Sequence, residues 1–187
     1  MNFKIIKSDT VFHGKVFDVR VDEIEYNETG NKNFRQVAVH PGGAVIVPVT
    51  NKGKIILITQ YRYPQNEVVM ELPAGKLEEG EDPLICAARE LAEETGCTAK
   101  EIKKLGKIFT TPGFCSEVLH IYLAKGLKTG NHAREEGEED IKLIELTLEE
   151  IDNKIKSGEI VDGKTISGIY MYKLSDESRE QSEESRV

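Results

Sequence analysis

The chain has 187 residues, 39% apolar and 31% charged, which is enough for one domain with a proper core. Its net charge of −8 argues against a nucleic-acid backbone or an anionic membrane surface as partner. An anionic small-molecule substrate has to be met by local positive charge or by metal.

Residues 3–7, 13–27 and 34–40 read as short strands, and Asn27-Glu28-Thr29-Gly30-Asn31 is a turn signal between two of them. GGAVIVPVT and GKIILITQYRY follow as two β-branched or aliphatic runs, linked by Asn51-Lys52-Gly53. A helix is expected after Asp82, a candidate N-cap, and Pro83, a candidate first helical residue; Gly96 is its stop. Leu84, Ala87, Ala88 and Leu91 are expected to form its apolar stripe, opposite the acids. GKIFTTP, SEVLHIYLAKGL and IKLIELT read as further strands. A helix begins near Leu148, a last one covers about residues 163–174, and the tail SDESREQSEESRV is expected to be disordered. Strands on both sides of a helix make this an α/β chain with many antiparallel neighbours.

Three cysteines without regular spacing suggest neither a disulfide scaffold nor a zinc site. Cys86, Cys97 and Cys115 are expected as reduced thiols in a cytoplasmic protein. Cys115 stands in a candidate active-site loop without an evident base partner. The N-terminus has no continuous apolar signal region, and no run approaches transmembrane length.

The stretch Gly75–Cys97, GKLEEGEDPLICAARELAEETGC, carries the chemistry. Glu90, Glu93 and Glu94 are spaced i, i+3 and i+4 and share one helix face. Three carboxylates there repel one another unless a cation intervenes. A hard cation such as Mg²⁺ takes oxygen ligands and bridges phosphates, so the segment reads as a phosphate-processing metal site. Glu81 lies in the loop ahead of the helix, and Arg89 is placed to pair with a carboxylate and hold it. The plain alternative is a solvated, charged helix face.

The stretch resembles the Nudix box, G-x5-E-x7-R-E-U-x-E-E-x-G-U with U apolar, filled here by Gly75, Glu81, Arg89, Glu90, Leu91, Glu93, Glu94, Gly96 and Cys97. Cys97 is small for the last apolar slot but behaves as a small hydrophobe. The resemblance implies a Nudix-type α/β/α sandwich with a mixed central sheet, plus an N-terminal antiparallel β subdomain. The implied division is residues 1–40 as an N-terminal β segment for dimerisation and substrate contacts, 41–175 as the Nudix hydrolase domain, and 176–187 as the acidic tail. Similar enzymes are homodimers in which the N-terminal part reaches across to the other copy.

Further features resemble the ADP-ribose pyrophosphatase branch. Pro112 in TTPGFCSE stands 16 residues after Gly96, followed by Gly113. HPGGAVIVPV and ITQYRYP…ELPAGKLEEGE match its strand pattern, with Arg35 and Arg62 as basic residues near the substrate. The acidic loop EEGEED precedes IKLIELT, where this branch carries an extra catalytic Glu. Glu139 is best matched to it; Gly137 stands where another acid is often found, so Glu136 or Glu138 are the alternatives.

The resemblance implies hydrolysis of ADP-ribose to AMP and ribose 5-phosphate, dependent on Mg²⁺ or Mn²⁺. Glu90, Glu94 and Glu93 are the implied metal ligands, with the backbone carbonyl of Ala74. Arg35 and Arg62 suit forked hydrogen bonds to phosphate or ribose. Tyr26 and Phe34 are candidates to stack on adenine or to pack in the core. The alternatives are another nucleotide substrate (GDP-mannose or another sugar nucleotide, or a dinucleotide polyphosphate) and a non-catalytic nucleotide-sensing module. All four box carboxylates are retained, which favours turnover over sensing.

Overall fold

A computed structural model describes residues 2–130 and 140–176. They divide into two compact units. The first runs to Gly42 and takes in Phe109–Val118; the second holds Gly43–Ile108 and the described residues from Leu119 onward.

In the first unit, strands β1 (Phe3–Phe12), β2 (Asp18–Tyr26) and β3 (Lys32–Val39) form an antiparallel meander in the order β1-β2-β3. The β2–β3 turn falls where the sequence signals it. Gly30 takes a left-handed φ of 67°, and its N–H donates to the Tyr26 carbonyl at 2.9 Å. The segment 109–118 joins β3 by a bridge between Ala38 and Cys115. The Ala38 N–H donates to the Phe114 carbonyl at 2.8 Å, and the Ser116 N–H to the Ala38 carbonyl at 2.9 Å.

The second unit has β4 (Gly43–Pro48), β5 (Ile55–Arg62), β6 (Glu67–Glu71), β7 (Ala74–Lys76) and α1 (Pro83–Thr95). The short β8 (Cys97–Thr98), then β9 (Glu101–Phe109), β10 (Val118–Lys125), the short β11 (Lys128–Thr129) and β12 (Lys142–Leu146) follow. Helices α2 (Leu148–Ser157) and α3 (Gly163–Leu174) close it. One sheet has the order β7-β4-β10-β9 and is mixed: β4 runs parallel to β10 and antiparallel to β7. A second, antiparallel sheet has the order β12-β5-β6.

The alternation of side chains along β4 explains the layering. Val45 and Val47 face a core shared with Ile151 of α2 and with Ile169 and Tyr172 of α3. Ala44 and Ile46 face a separate core shared with Cys86, Ala87 and Leu91 of α1. Both faces of β4 are therefore covered, which is why GAVIVP reads as an unbroken apolar run. This is the α/β/α arrangement with a mixed sheet that the sequence implies, and the N-terminal meander is the added antiparallel sheet. The acidic residues 136, 138 and 139 and the tail from residue 177 lie outside the described residues.

Candidate active site

Local chemistry fixes both ends of α1. The Asp82 side chain accepts from the Leu84 N–H at 2.7 Å, Pro83 opens the helix, and Gly96 ends it at φ 68° with its N–H on the Ala92 carbonyl at 2.9 Å. The face it buries differs from the expected stripe. Leu84 is 43% exposed and Ala88 is exposed, whereas Cys86, Ala87, Glu90, Leu91 and Glu94 are buried. Glu90 and Glu94 thus sit on the inward side of the helix, not opposite it. A buried carboxylate needs a partner: Glu90 has Arg89, as the sequence suggests, and Glu94 has a backbone amide that the helix pattern does not reveal.

Arg89 is the centre of the cluster. Its Nε donates to Glu81 Oε1 at 3.0 Å and its Nη2 to Glu81 Oε2 at 3.1 Å, a forked pair. Its Nη1 donates to Glu90 Oε1 at 2.6 Å and to Glu93 Oε2 at 2.9 Å. Its Nη2 also reaches the Lys76 carbonyl at 3.2 Å. The hydrogen bond to Glu81 leads in raising the guanidinium above its usual pKa, and the same bond holds the Glu81 carboxyl below the usual range. Glu81, Arg89, Glu90 and Glu93 are therefore brought together. Glu94 is tied separately: its Oε2 accepts from the Ala74 N–H at 2.9 Å.

Gly75 makes room for this arrangement. A Cβ at that position would lie 1.7 Å from Glu90 Oε1, so any other residue would have to displace the carboxylate from where it sits. Beneath it, burial pushes the Cys86 thiol up to about 12, with the Glu81 and Glu90 charges adding to the effect. Cys86 is thus a neutral, inert member of the core rather than a nucleophile.

Arg62, read from sequence as a substrate residue, is engaged by Glu71. Its Nε and Nη2 donate to the two carboxylate oxygens at 2.7 and 2.6 Å. Glu71 is 2% exposed and also receives Lys164 of α3. Burial pushes the Glu71 carboxyl up, but the Arg62 hydrogen bonds and the Lys164 charge outweigh it and hold it below its usual value. Arg62, Glu67, Glu71, Asp162 and Lys164 line a cavity of about 300 Å³. Glu71, Asp162, Lys164 and Thr165 carry no role in the sequence reading. The signals present were Glu71 opening the ELPAG run and Asp162 placed to cap α3.

The remaining sequence candidates belong to the N-terminal unit. Arg35 Nη2 donates to the Tyr26 hydroxyl at 2.8 Å, and Phe34 is 62% exposed, so it is not a core residue of the described chain. Pro112 and Gly113 lie in a turn in which the Thr111 carbonyl accepts from the Cys115 N–H at 2.9 Å.

The donor set suits a hard divalent cation. Glu90 and Glu94 are buried carboxylates one helical turn apart, Glu93 is beside them, and all ligand atoms are oxygen. Among the described residues no three such side chains are already gathered in ligating geometry. Arg89 and the Ala74 amide take up the carboxylates instead.

A helix with inward carboxylates, opened by a Gly–Glu loop and locked by one Arg, defines a class of phosphate-processing domain. The chain belongs to the Nudix family: the NUDIX domain model matches residues 39–167. Among its relatives, an ADP-ribose pyrophosphatase of Bacillus subtilis (strain 168) is 39% identical over 92% of this chain and 94% of its own length. A protein of Bacillus methanolicus named Methanol dehydrogenase activator is 41% identical over the same shares. A GDP-mannose pyrophosphatase of Escherichia coli (strain K12) is 32% identical over 67% of this chain and 69% of its own. A crystal structure of an ADP compounds hydrolase superposes with a TM-score of 0.83, covering 100% of this chain and 98% of that one at 20% identity, and so shares the fold.

Proposed function

We propose that the chain is a divalent-metal-dependent pyrophosphohydrolase that cleaves ADP-ribose to AMP and ribose 5-phosphate. The observation that carries this reading is the pair of buried carboxylates, Glu90 and Glu94, held beside the Ala74–Gly75 backbone. Substrate choice is supported by likeness to the ADP-ribose pyrophosphatase of Bacillus subtilis along almost the whole chain.

Glu90 and Glu94 would hold the ion, with Glu93 and the Ala74 carbonyl completing the shell. When bound, Mg²⁺ (or Mn²⁺) supplies positive charge against the pyrophosphate oxygens. Arg89 orients the carboxylates through its bonds to Glu81, Glu90 and Glu93. Glu139, with Glu136 and Glu138 as alternatives, takes the proton of the attacking water. The water oxygen forms a bond to one phosphorus as the bridging P–O bond breaks, so each product leaves as a phosphate ester. Arg35 and Arg62 would pair with phosphate or ribose oxygens, and Pro112 and Gly113 are assigned to substrate binding on the family resemblance. Cys86, Cys97 and Cys115 are free cysteines. No helix among the described residues is long and apolar enough to cross a membrane.

Parallel kcat/KM measurements on ADP-ribose, GDP-mannose and diadenosine polyphosphates, with Mg²⁺ and with EDTA, test the reading. AMP release from ADP-ribose should be the fastest and should stop in EDTA. A preference for GDP-mannose would keep the carboxylate chemistry and remove the substrate assignment. A second reading comes from the relative named Methanol dehydrogenase activator. On that reading the chain raises the turnover of a dehydrogenase, and adding it to a purified methanol dehydrogenase gives the comparison.

A further inference from the structure

We propose that Thr165 and Lys164, at the start of α3, are positioning residues for the carboxylates of α1, acting through the backbone of residues 71–74. This rests on reading Glu90 and Glu94 as metal ligands.

Only Leu72 and Pro73 separate β6 from β7, and each residue from Glu71 to Ala74 is pinned by a neighbouring element, α3 holding the first two. The Glu71 carboxylate is clasped between Arg62 of β5 and Lys164 of α3. The Leu72 N–H donates to Thr165 Oγ1 at 2.7 Å in a fully buried bond. The Pro73 carbonyl accepts from the Ile46 N–H of β4 at 2.9 Å. The Ala74 N–H donates to Glu94 Oε2 at 2.9 Å. The position of α3 is thus relayed through four consecutive residues to a carboxylate of α1.

Thr165 has the chemistry this relay needs. It is 0% exposed. Its hydroxyl accepts from Leu72 while its own proton goes to Asp162 Oδ2 at 2.6 Å, and its N–H goes to the same oxygen at 2.9 Å. Accepting and donating at one atom requires a hydroxyl, which Ser keeps and Val lacks. Lys164 Nζ donates to both Asp162 Oδ2 and Glu71, so the helix start and the segment share one ionic network. α3 also lies hard against the segment: a Cβ on Gly168 would come 2.6 Å from Leu72 Cδ1.

The test is Mn²⁺ titration without substrate, together with exchange of the Ala74 amide, in wild type, Thr165→Val, Thr165→Ser, Lys164→Met and Glu94→Gln. Thr165→Val should weaken Mn²⁺ binding about tenfold and expose the Ala74 amide to exchange, and Thr165→Ser should restore both. Lys164→Met should shift both in the same direction, and it carries the test if Thr165→Val does not fold. A role in stability alone would lower Tm but leave folded Thr165→Val with wild-type Mn²⁺ affinity and a protected Ala74 amide; that result overturns the proposal. Wild-type Mn²⁺ binding by Glu94→Gln would overturn the ligand reading instead, and the Ala74 exchange rates would still decide the relay.

Discussion

The chemistry concentrates on a few side chains whose surroundings differ in kind. Glu90 has the Gly75 backbone against it, so Gly75→Ala has to displace the carboxylate from Arg89. The carboxylate is the mobile end of a side chain, so the fold should survive while the site does not. We expect a fall in kcat of at least about tenfold with little loss of Tm, measured by metal-titrated turnover and thermal unfolding. Glu81 makes a different prediction. Its folded pKa lies below the ordinary 4.5 because Arg89 donates to it. A depressed carboxyl contributes stability that is present above the unfolded value and lost as pH falls through the folded one. Tm should therefore decline below about pH 4.5, and the decline should be shallower in Glu81→Gln, whose titrating group is gone. Equal acid limbs in the two proteins would remove Glu81 from the account.

At the scale of the element, α1 shows what a sequence can and cannot say. Its ends were legible because Asp82, Pro83 and Gly96 act on their own neighbours in the chain. Asp82→Ala should cost about 1 kcal/mol in urea unfolding while leaving kcat near wild type. The buried face was not legible. Leu84 is a large apolar group, yet Ala87, Glu90, Leu91 and Glu94 turn inward because α1 packs on β4 and β7, which the helix cannot announce. Strands β6 and β7 escaped for the same reason: a few residues each, they exist through pairing with β5 and β4. Of the site, Arg89 and its carboxylates followed from spacing. The support from Glu71, Lys164 and Thr165 spans 93 positions of sequence and needed the fold.

Across the whole molecule, the first unit leaves Ile5, Val11, Phe12, Val16 and Phe17 exposed, a concentration of apolar side chains beyond scattered surface residues. We propose that a second copy of the chain covers these side chains. Sedimentation over a range of concentrations should show a dimer that Phe12→Ser with Phe17→Ser converts to monomer; a wild-type monomer throughout would contradict it. The two units would then divide the work, with assembly in one and the carboxylate site in the other. That site is the centre of the account, and AMP release from ADP-ribose by wild type and Glu94→Gln across a Mg²⁺ titration tests it most directly. We predict metal-dependent turnover in wild type and a loss of at least about a hundredfold in a Glu94→Gln protein that unfolds like wild type. Wild-type turnover by Glu94→Gln at saturating Mg²⁺ would contradict it.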